Sequence, residues 1–318
     1  MDIEKEYIKK KYEDILRYCK GKFNSLDAKE KYYLGIVLFE LGFLNKSLEL
    51  LLEIEKVYVD VDKSRGYAYM GLVYYSLGNY KKTKRYLKYS INLNGEYSIE
   101  SKNWYKLYAL DGEVYKVVKQ PHITYYFIEK IDLKEVENFI LKYKRAYDRI
   151  QSFFSVILQK KIDVYIYCGR RDVLGNNLSY ANPFFSSIHV NKDEDAGHEL
   201  AHIISHYAVT RINNKSKLIQ EGIAEYFNLI NYKTLIYPIG LEINLFQLWN
   251  DMCGLNSVSY ACIAKRFVSL LIDRKGKDIF IKLLQDQSTD NALNLYGECL
   301  LEAKDVVERE VIEGKLQY

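Results

Sequence analysis

The sequence predicts an α+β protein: an α-helical repeat region, then a small mixed sheet with helices, then a mostly helical C-terminal part. Three observations lead there. A pattern of small and apolar residues recurs after 36 positions within the first hundred residues. The periodicity then switches from helical to alternating, and from Asn191 onward it is helical almost without interruption. Three prolines in 318 residues leave room for long unbroken helices.

Aligning Leu34-Gly35 with Met70-Gly71 brings Leu38 onto Tyr74, Leu41-Gly42 onto Leu77-Gly78, Ser47 onto Thr83 and Leu51 onto Leu87. Each copy reads as a helix, a turn carrying Gly42 or Gly78, and a second helix, with small residues where two helices must approach closely. Spacing and residue types resemble tetratricopeptide repeats over residues 28–94. The resemblance implies stacked helix pairs whose concave face holds a peptide or a partner protein. Two copies are fewer than a free-standing array usually needs, so the pairs either present such a face or only cap the domain that follows. The basic run Lys81-Lys82-Thr83-Lys84-Arg85 reads as a solvated helix face.

Beyond Asn94, residues 105–110 and 113–118 alternate around Asp111-Gly112 and read as a β-hairpin. Residues 96–120 are therefore expected to be a hairpin and linker, between a repeat region at 1–95 and a second domain at 121–318. In that domain residues 123–128, 162–168 and 185–190 read as strands and 133–156 as a long amphipathic helix.

Composition excludes several classes. Apolar residues at 48% and charged residues at 28% are ordinary globular values, unlike those of a disordered or collagen-like chain. No apolar run reaches the roughly 18 residues a membrane span needs, and the charged start Met1-Asp2-Ile3-Glu4 has no signal-like apolar stretch. A net charge of +4, from 46 basic and 42 acidic residues, is too near balance for a nucleic-acid or anionic-membrane footprint. Five scattered cysteines without a CxxC pair suggest buried free thiols, not a disulfide framework or a thiolate zinc site. A soluble cytoplasmic protein is expected, with neither nucleic acid nor membrane as partner.

The strongest chemical signal is His198-Glu199-Leu200-Ala201-His202, an HExxH motif. Asn191 and Glu194 stand before it at capping-box spacing, which predicts a helix start there. Helical residues four apart differ by about 40° in direction and about 6 Å along the axis, so both imidazoles reach one metal ion. Glu199 projects near the same face, close enough to work on a metal-bound water without ligating. Eighteen residues after His202 comes Gln220-Glu221-Gly222-Ile223-Ala224-Glu225-Tyr226, on a second predicted helix. Glu225 lies one turn beyond Glu221, so its carboxylate can face the same site.

This HELAH, 18-residue gap, EGIAEY arrangement resembles the gluzincin metallopeptidases, in particular those related to aminopeptidase N, over about residues 123–285. The resemblance implies a zincin-like fold, one Zn2+ per chain, peptide or protein substrates, Glu221 as third ligand, and Glu199 as general base. Two imidazoles and a carboxylate leave a fourth position open, as a catalytic zinc needs. It also implies that Glu225 hydrogen-bonds the first zinc-binding histidine from behind. Tyr260-Ala261-Cys262-Ile263-Ala264 looks like the family's Y-x-x-x-A helix start, on a helix running to Gly276, which would make Tyr260 the donor to the oxyanion. Tyr226 and Tyr207 are the alternatives for that role. His206 lacks the glycine and the longer spacing of the metzincin pattern and reads as packed or solvated, and His122 and His189 read as structural.

One departure matters. The aminopeptidases carry a G-x-M-E-N segment that grips the substrate's amine, and Tyr180-Ala181-Asn182-Pro183-Phe184-Phe185-Ser186-Ser187 lacks it. An edge strand at 185–190 pairing with an extended peptide would instead suit an endopeptidase. The competing reading is a catalytically inactive helical-repeat adaptor that binds peptide on a zincin fold.

Overall fold

The computed structural model describes residues 1–9, 11–55, 63–95, 97–108, 114–158, 161–168, 179–183, 185–209, 212–228, 242–252 and 254–316. The described residues form two compact units that divide between Val114 and Tyr115.

Among the described residues the regular elements of the first unit are all helices. It consists of α1 (Ile3–Ile8), α2 (Tyr12–Lys20), a 3-10 turn at Phe23–Ser25, α3 (Ala28–Glu40), α4 (Leu44–Glu55), α5 (Lys63–Ser76), α6 (Tyr80–Asn92) and α7 (Ser98–Tyr108). Asp27 and Glu30 start α3 with a reciprocal capping box. Helices α3/α4 and α5/α6 are packed pairs built alike at a 36-residue offset. Each first helix ends at a glycine with positive φ, Gly42 at 81° and Gly78 at 74°. The hydrogen bonds Gly42 N to Phe39 O and Phe43 N to Leu38 O recur as Gly78 N to Tyr75 O and Asn79 N to Tyr74 O, closing the same C-terminal turn. Gly35 faces Leu51 and Gly71 faces Leu87, and a Cβ at either glycine would come within 3.2 Å or 2.7 Å of that leucine. Ser47 and Thr83, the next equivalent pair, are both fully buried.

The expected hairpin is corrected here. Residues 105–108 belong to α7, where Tyr108 is fully buried against Tyr75 at 4.4 Å, and this packing overrides the short local alternation. Residues 109–113 lie outside the described residues. Strand β1 (Lys116–Lys119) pairs instead with β2 (Ile123–Phe127), antiparallel, across a turn holding Pro121.

In the second unit α8 (Leu133–Phe154) follows, then β3 (Ile162–Tyr167), β4 (Tyr180–Asn182), β5 (Ser187–Asn191), α9 (Ala196–Ala208), α10 (Lys217–Phe227), α11 (Ser257–Gln285), α12 (Thr289–Tyr296) and α13 (Glu298–Ile312). The sheet order is β1-β2-β3-β5-β4, with β2, β3 and β5 parallel and the two outer strands antiparallel to their neighbours. The strand expected at an edge, β5, is therefore interior, and β4 is the outer strand on that side. Val164, Ile166, Ile188 and Val190 are buried in this sheet, as side chains of interior strands are.

The many tyrosines pack in two ways. Tyr125 and Phe127 meet Phe139 edge-on under α8. Tyr126, Tyr165 and His189, in register on neighbouring strands, form a ladder of stacked rings at 4.8 and 4.5 Å. His189 is thus a core residue, with Nδ1 3.1 Å from the Tyr167 hydroxyl. His122 stacks on Tyr147 at 5.0 Å. Helix α11 starts at Asn256, which caps Ser259 N, and breaks at Gly276, whose φ is 78°. Cys19 and Cys262 are buried, Cys168 and Cys299 are half-buried, and Cys253 lies outside the described residues. Among the described residues no helix is long and apolar enough to cross a membrane.

Candidate metal centre

Helix α9 begins at Asp195, whose carboxylate accepts from Gly197 N at 2.6 Å. The start expected at Asn191 and Glu194 is thereby corrected. Asn191 is the last residue of β5, and its amide donates to the Glu194 carboxylate at 3.1 Å, so this pair braces the turn before the helix. Helix α10 starts at Ser216, whose hydroxyl accepts from Ile219 N.

These helices bring together the residues singled out in the sequence. His198 Nε2 and His202 Nε2 are 3.3 Å apart, and the Glu221 carboxylate lies 3.6 Å from the first and 3.9 Å from the second. Ligands bonded tetrahedrally to a metal at about 2.05 Å lie about 3.3 Å from one another, so the imidazole nitrogens already stand at a tetrahedral edge. Among the described residues, the group able to hold a metal ion is His198, His202 and Glu221. His206 is not in it; its ring meets Tyr207 edge-on at 5.4 Å.

Glu225 stands behind this group. Its Oε1 is 2.9 Å from His198 Nδ1, its Oε2 accepts from Asn228 Nδ2 at 2.9 Å, and its side chain is only 4% exposed. In the neutral ring, with Nδ1 donating to Glu225, the lone pair of His198 lies on Nε2, toward His202 and Glu221. Burial pushes the His198 imidazole down, but the bond to Glu225 and the charges of Glu199, Glu225 and Glu221 outweigh it and hold the ring at about 9. Burial, the His198 charge and Lys215 hold His202 well below the usual histidine range.

Glu199 is buried and its carboxyl is pushed up to about 7, chiefly by desolvation, against the opposing pull of His198. The backbone amide of Ala181 on β4 pulls this carboxyl down, and β4 packs against α9, so the outer strand lies beside the candidate base.

Gly197 and Gly222 let the helices that carry these residues pack closely. A Cβ at Gly197, immediately before His198, would stand 2.0 Å from the Phe227 carbonyl oxygen at the end of α10. A Cβ at Gly222, immediately after Glu221, would stand 2.6 Å from the Ala264 carbonyl of α11. Arg149 of α8 donates to that same Phe227 carbonyl and lies over the Phe227 ring. The only signal available in sequence was a glycine beside each ligand helix's working residues.

Tyr260 is not brought to this group as an open donor. It is 1% exposed, and its hydroxyl donates to Leu248 O at 2.9 Å, tying α11 to the preceding segment. Of the alternatives, Tyr226 packs on Phe153, and the Tyr207 hydroxyl accepts from Ser186 Oγ at 2.9 Å. No protein-family model matches the chain, and no curated protein matches it significantly.

Proposed function

We propose that the protein is a zinc-dependent peptidase of gluzincin type, with tetratricopeptide-like helix pairs that recruit its substrate or a partner protein. The observation that carries the reading is the convergence of His198, His202 and Glu221 with the Glu225 carboxylate behind His198. A structural site closes all positions, whereas two imidazoles and one carboxylate are the donor set of a hydrolytic zinc. The donors fit this ion: two imidazole nitrogens at a tetrahedral edge and a carboxylate 3.6 and 3.9 Å from them, with the first imidazole oriented through its far nitrogen.

Zinc held there would supply Lewis acidity, polarising a peptide carbonyl and acidifying water. The rest is work for this chain's own groups. Glu199 takes the proton of the attacking water at its carboxylate and hands it to the departing amine nitrogen, a task suited to its place one residue after His198 on α9. Glu225 keeps a proton on His198 Nδ1 and so keeps Nε2 available. Strand β4 is the outer strand next to Glu199, and an extended peptide adding to it would pass the base, which favours peptide over smaller substrates. The repeated glycine turns and close helix contacts of α3–α6 support the recruiting role.

The test is zinc content and cleavage together. Protein purified without chelators should hold about one zinc per chain, and His202→Ala should lose metal and activity together. Glu199→Gln should keep the metal while cleavage falls by about 100-fold or more. An active Glu199→Gln protein rules out the base, and a wild type that stays metal-free when offered zinc rules out the centre. Cleavage of the physiological target that survives deletion of residues 1–95 unchanged rules out recruitment.

A further inference from the structure

The amino-terminal helix α1 is six residues long, too short to persist in water by itself, since helices below about 12 residues are marginal alone. It exists because of what it sits on. Helices α3 and α5 are neighbours, as are α5 and α7, forming a row made of the first helix of each pair and then α7. On this row Glu4 accepts from the Tyr33 hydroxyl at 2.8 Å and pairs with Lys29 at 2.6 Å. One turn on, the Tyr7 ring packs on Tyr33 at 5.5 Å, and its hydroxyl meets that of Tyr69 at 3.0 Å. The Arg65 guanidinium lies over both the Tyr7 ring, at 5.8 Å, and the Tyr97 ring, at 4.5 Å.

Tyr33 and Tyr69 stand 36 positions apart, the offset of the helix pairs, so the seat is built from equivalent positions of two successive pairs. The occupant is no copy of a pair. It is a short charged segment, Asp2-Ile3-Glu4-Lys5-Glu6-Tyr7, in which the Glu4 carboxylate and the Tyr7 phenol are each received by a matching group. This is how a groove receives a helical peptide, through anchors three or four residues apart on one face.

We propose that the α3–α5–α7 face is a receptor for a short helical peptide bearing a glutamate and, three residues later, a tyrosine, and that α1 is its built-in occupant. A partner carrying Glu-x-x-Tyr in a helical segment displaces α1 and takes over the contacts to Lys29, Tyr33, Arg65 and Tyr69. Tethering keeps the local concentration of α1 high, so an incoming peptide binds the intact chain more weakly than a chain without α1. This gives the recruiting role proposed above its chemistry and rests on that role alone, independently of the metal centre.

The experiment uses a fluorescein-labelled synthetic peptide with the sequence of residues 2–9 and reads polarisation with no substrate or metal added. Protein lacking only residues 1–9 should bind it at least tenfold more tightly than the intact chain. Binding should fall at least tenfold when Tyr7 of the peptide becomes alanine, or when Arg65→Ala is introduced in the protein. A second variant, Glu4→Ala with Tyr7→Ala in the otherwise complete chain, should gain binding in the same way. Equal binding to intact and altered chains, or none to altered chains that circular dichroism shows to be folded, overturns the proposal. So does failure of both variants to fold, because α1 is then an integral part of the unit and not a displaceable occupant. Catalysis failing its own test leaves this result untouched.

Discussion

Replacing Gly197 by alanine places a methyl group 2.0 Å from the carbonyl oxygen of Phe227, where ordinary contact begins at 3.4 Å. Neither backbone can turn aside, so α9 and the end of α10 must separate by about 1.4 Å, several times the roughly 0.2 Å tolerance of a metal–ligand distance. Phe227 lies two residues beyond Glu225 on α10, and the displacement therefore acts first on the 2.9 Å bond from Glu225 to His198 and then on Glu221. Overpacking of this kind costs about 1–3 kcal/mol of stability. Loss of the oriented imidazole adds a drop in zinc affinity of about 10- to 100-fold. Competition with a chromophoric chelator measures the affinity, and urea unfolding in EDTA measures stability without metal. Ala201→Gly, a buried change on the same helix expected to cost up to about 1 kcal/mol, serves as the control that weakens the helix without opening the seam. If Gly197→Ala binds zinc as tightly as the wild type, the glycine seam does not set the ligand spacing.

Tyr260→Phe should lower stability by about 1–2 kcal/mol, through loss of the buried bond to Leu248 O, and leave turnover within a few-fold of wild type; a fall in kcat of about 100-fold would restore an oxyanion role. His189 is fully buried and its ring is held at about 3 by desolvation, so the unfolded chain takes up a proton that the fold refuses. Stability contributed by neutral His189 is complete above about pH 6.5 and is lost as pH falls toward 3, at up to about 1.4 kcal/mol per unit. Urea midpoints should fall between pH 7 and 5, and His189→Phe should make the fall shallower by the share of His189, with His202 and His206, held down in the same way, supplying the remainder. Gly71→Ala should destabilise more than Gly35→Ala, since the new methyl would meet Leu87 at 2.7 Å but Leu51 at 3.2 Å. Equal unfolding midpoints for the two would show that Leu87 moves aside freely.

What could be read from sequence was local or periodic. The glycine turns at 42 and 78 and the facing pairs Gly35/Leu51 and Gly71/Leu87 follow from a 36-residue offset, and helical geometry alone puts His198 beside His202. The position of Glu225 behind His198 was anticipated by spacing and resemblance together. What escaped depends on distant partners. Nothing local distinguishes β4, three residues long, as the outer strand, or places β5 inside it, because strand order is decided by pairing across the sheet. Residues 105–108 alternate convincingly, yet Tyr75 and the rest of the helical unit claim Tyr108. Asn191 and Asp195 are both plausible caps by type. The helix took Asp195 because the strand extends as far as Asn191. Tyr260 was located by resemblance alone, and a motif match says nothing of the carbonyl that its hydroxyl meets.

Strand β1, at the far edge of the sheet from β4, reads Lys116-Val117-Val118-Lys119. An outer strand is a template on which another molecule can stack, and Val117, nearly half exposed, is the kind of residue that invites it. A lysine at each end of so short a strand makes a second β1 approaching edge to edge bring like charges together. The two lysines thus guard this flank of the sheet against self-association, and a single neutral substitution at Lys116 or Lys119 would remove part of that guard without touching the fold's interior.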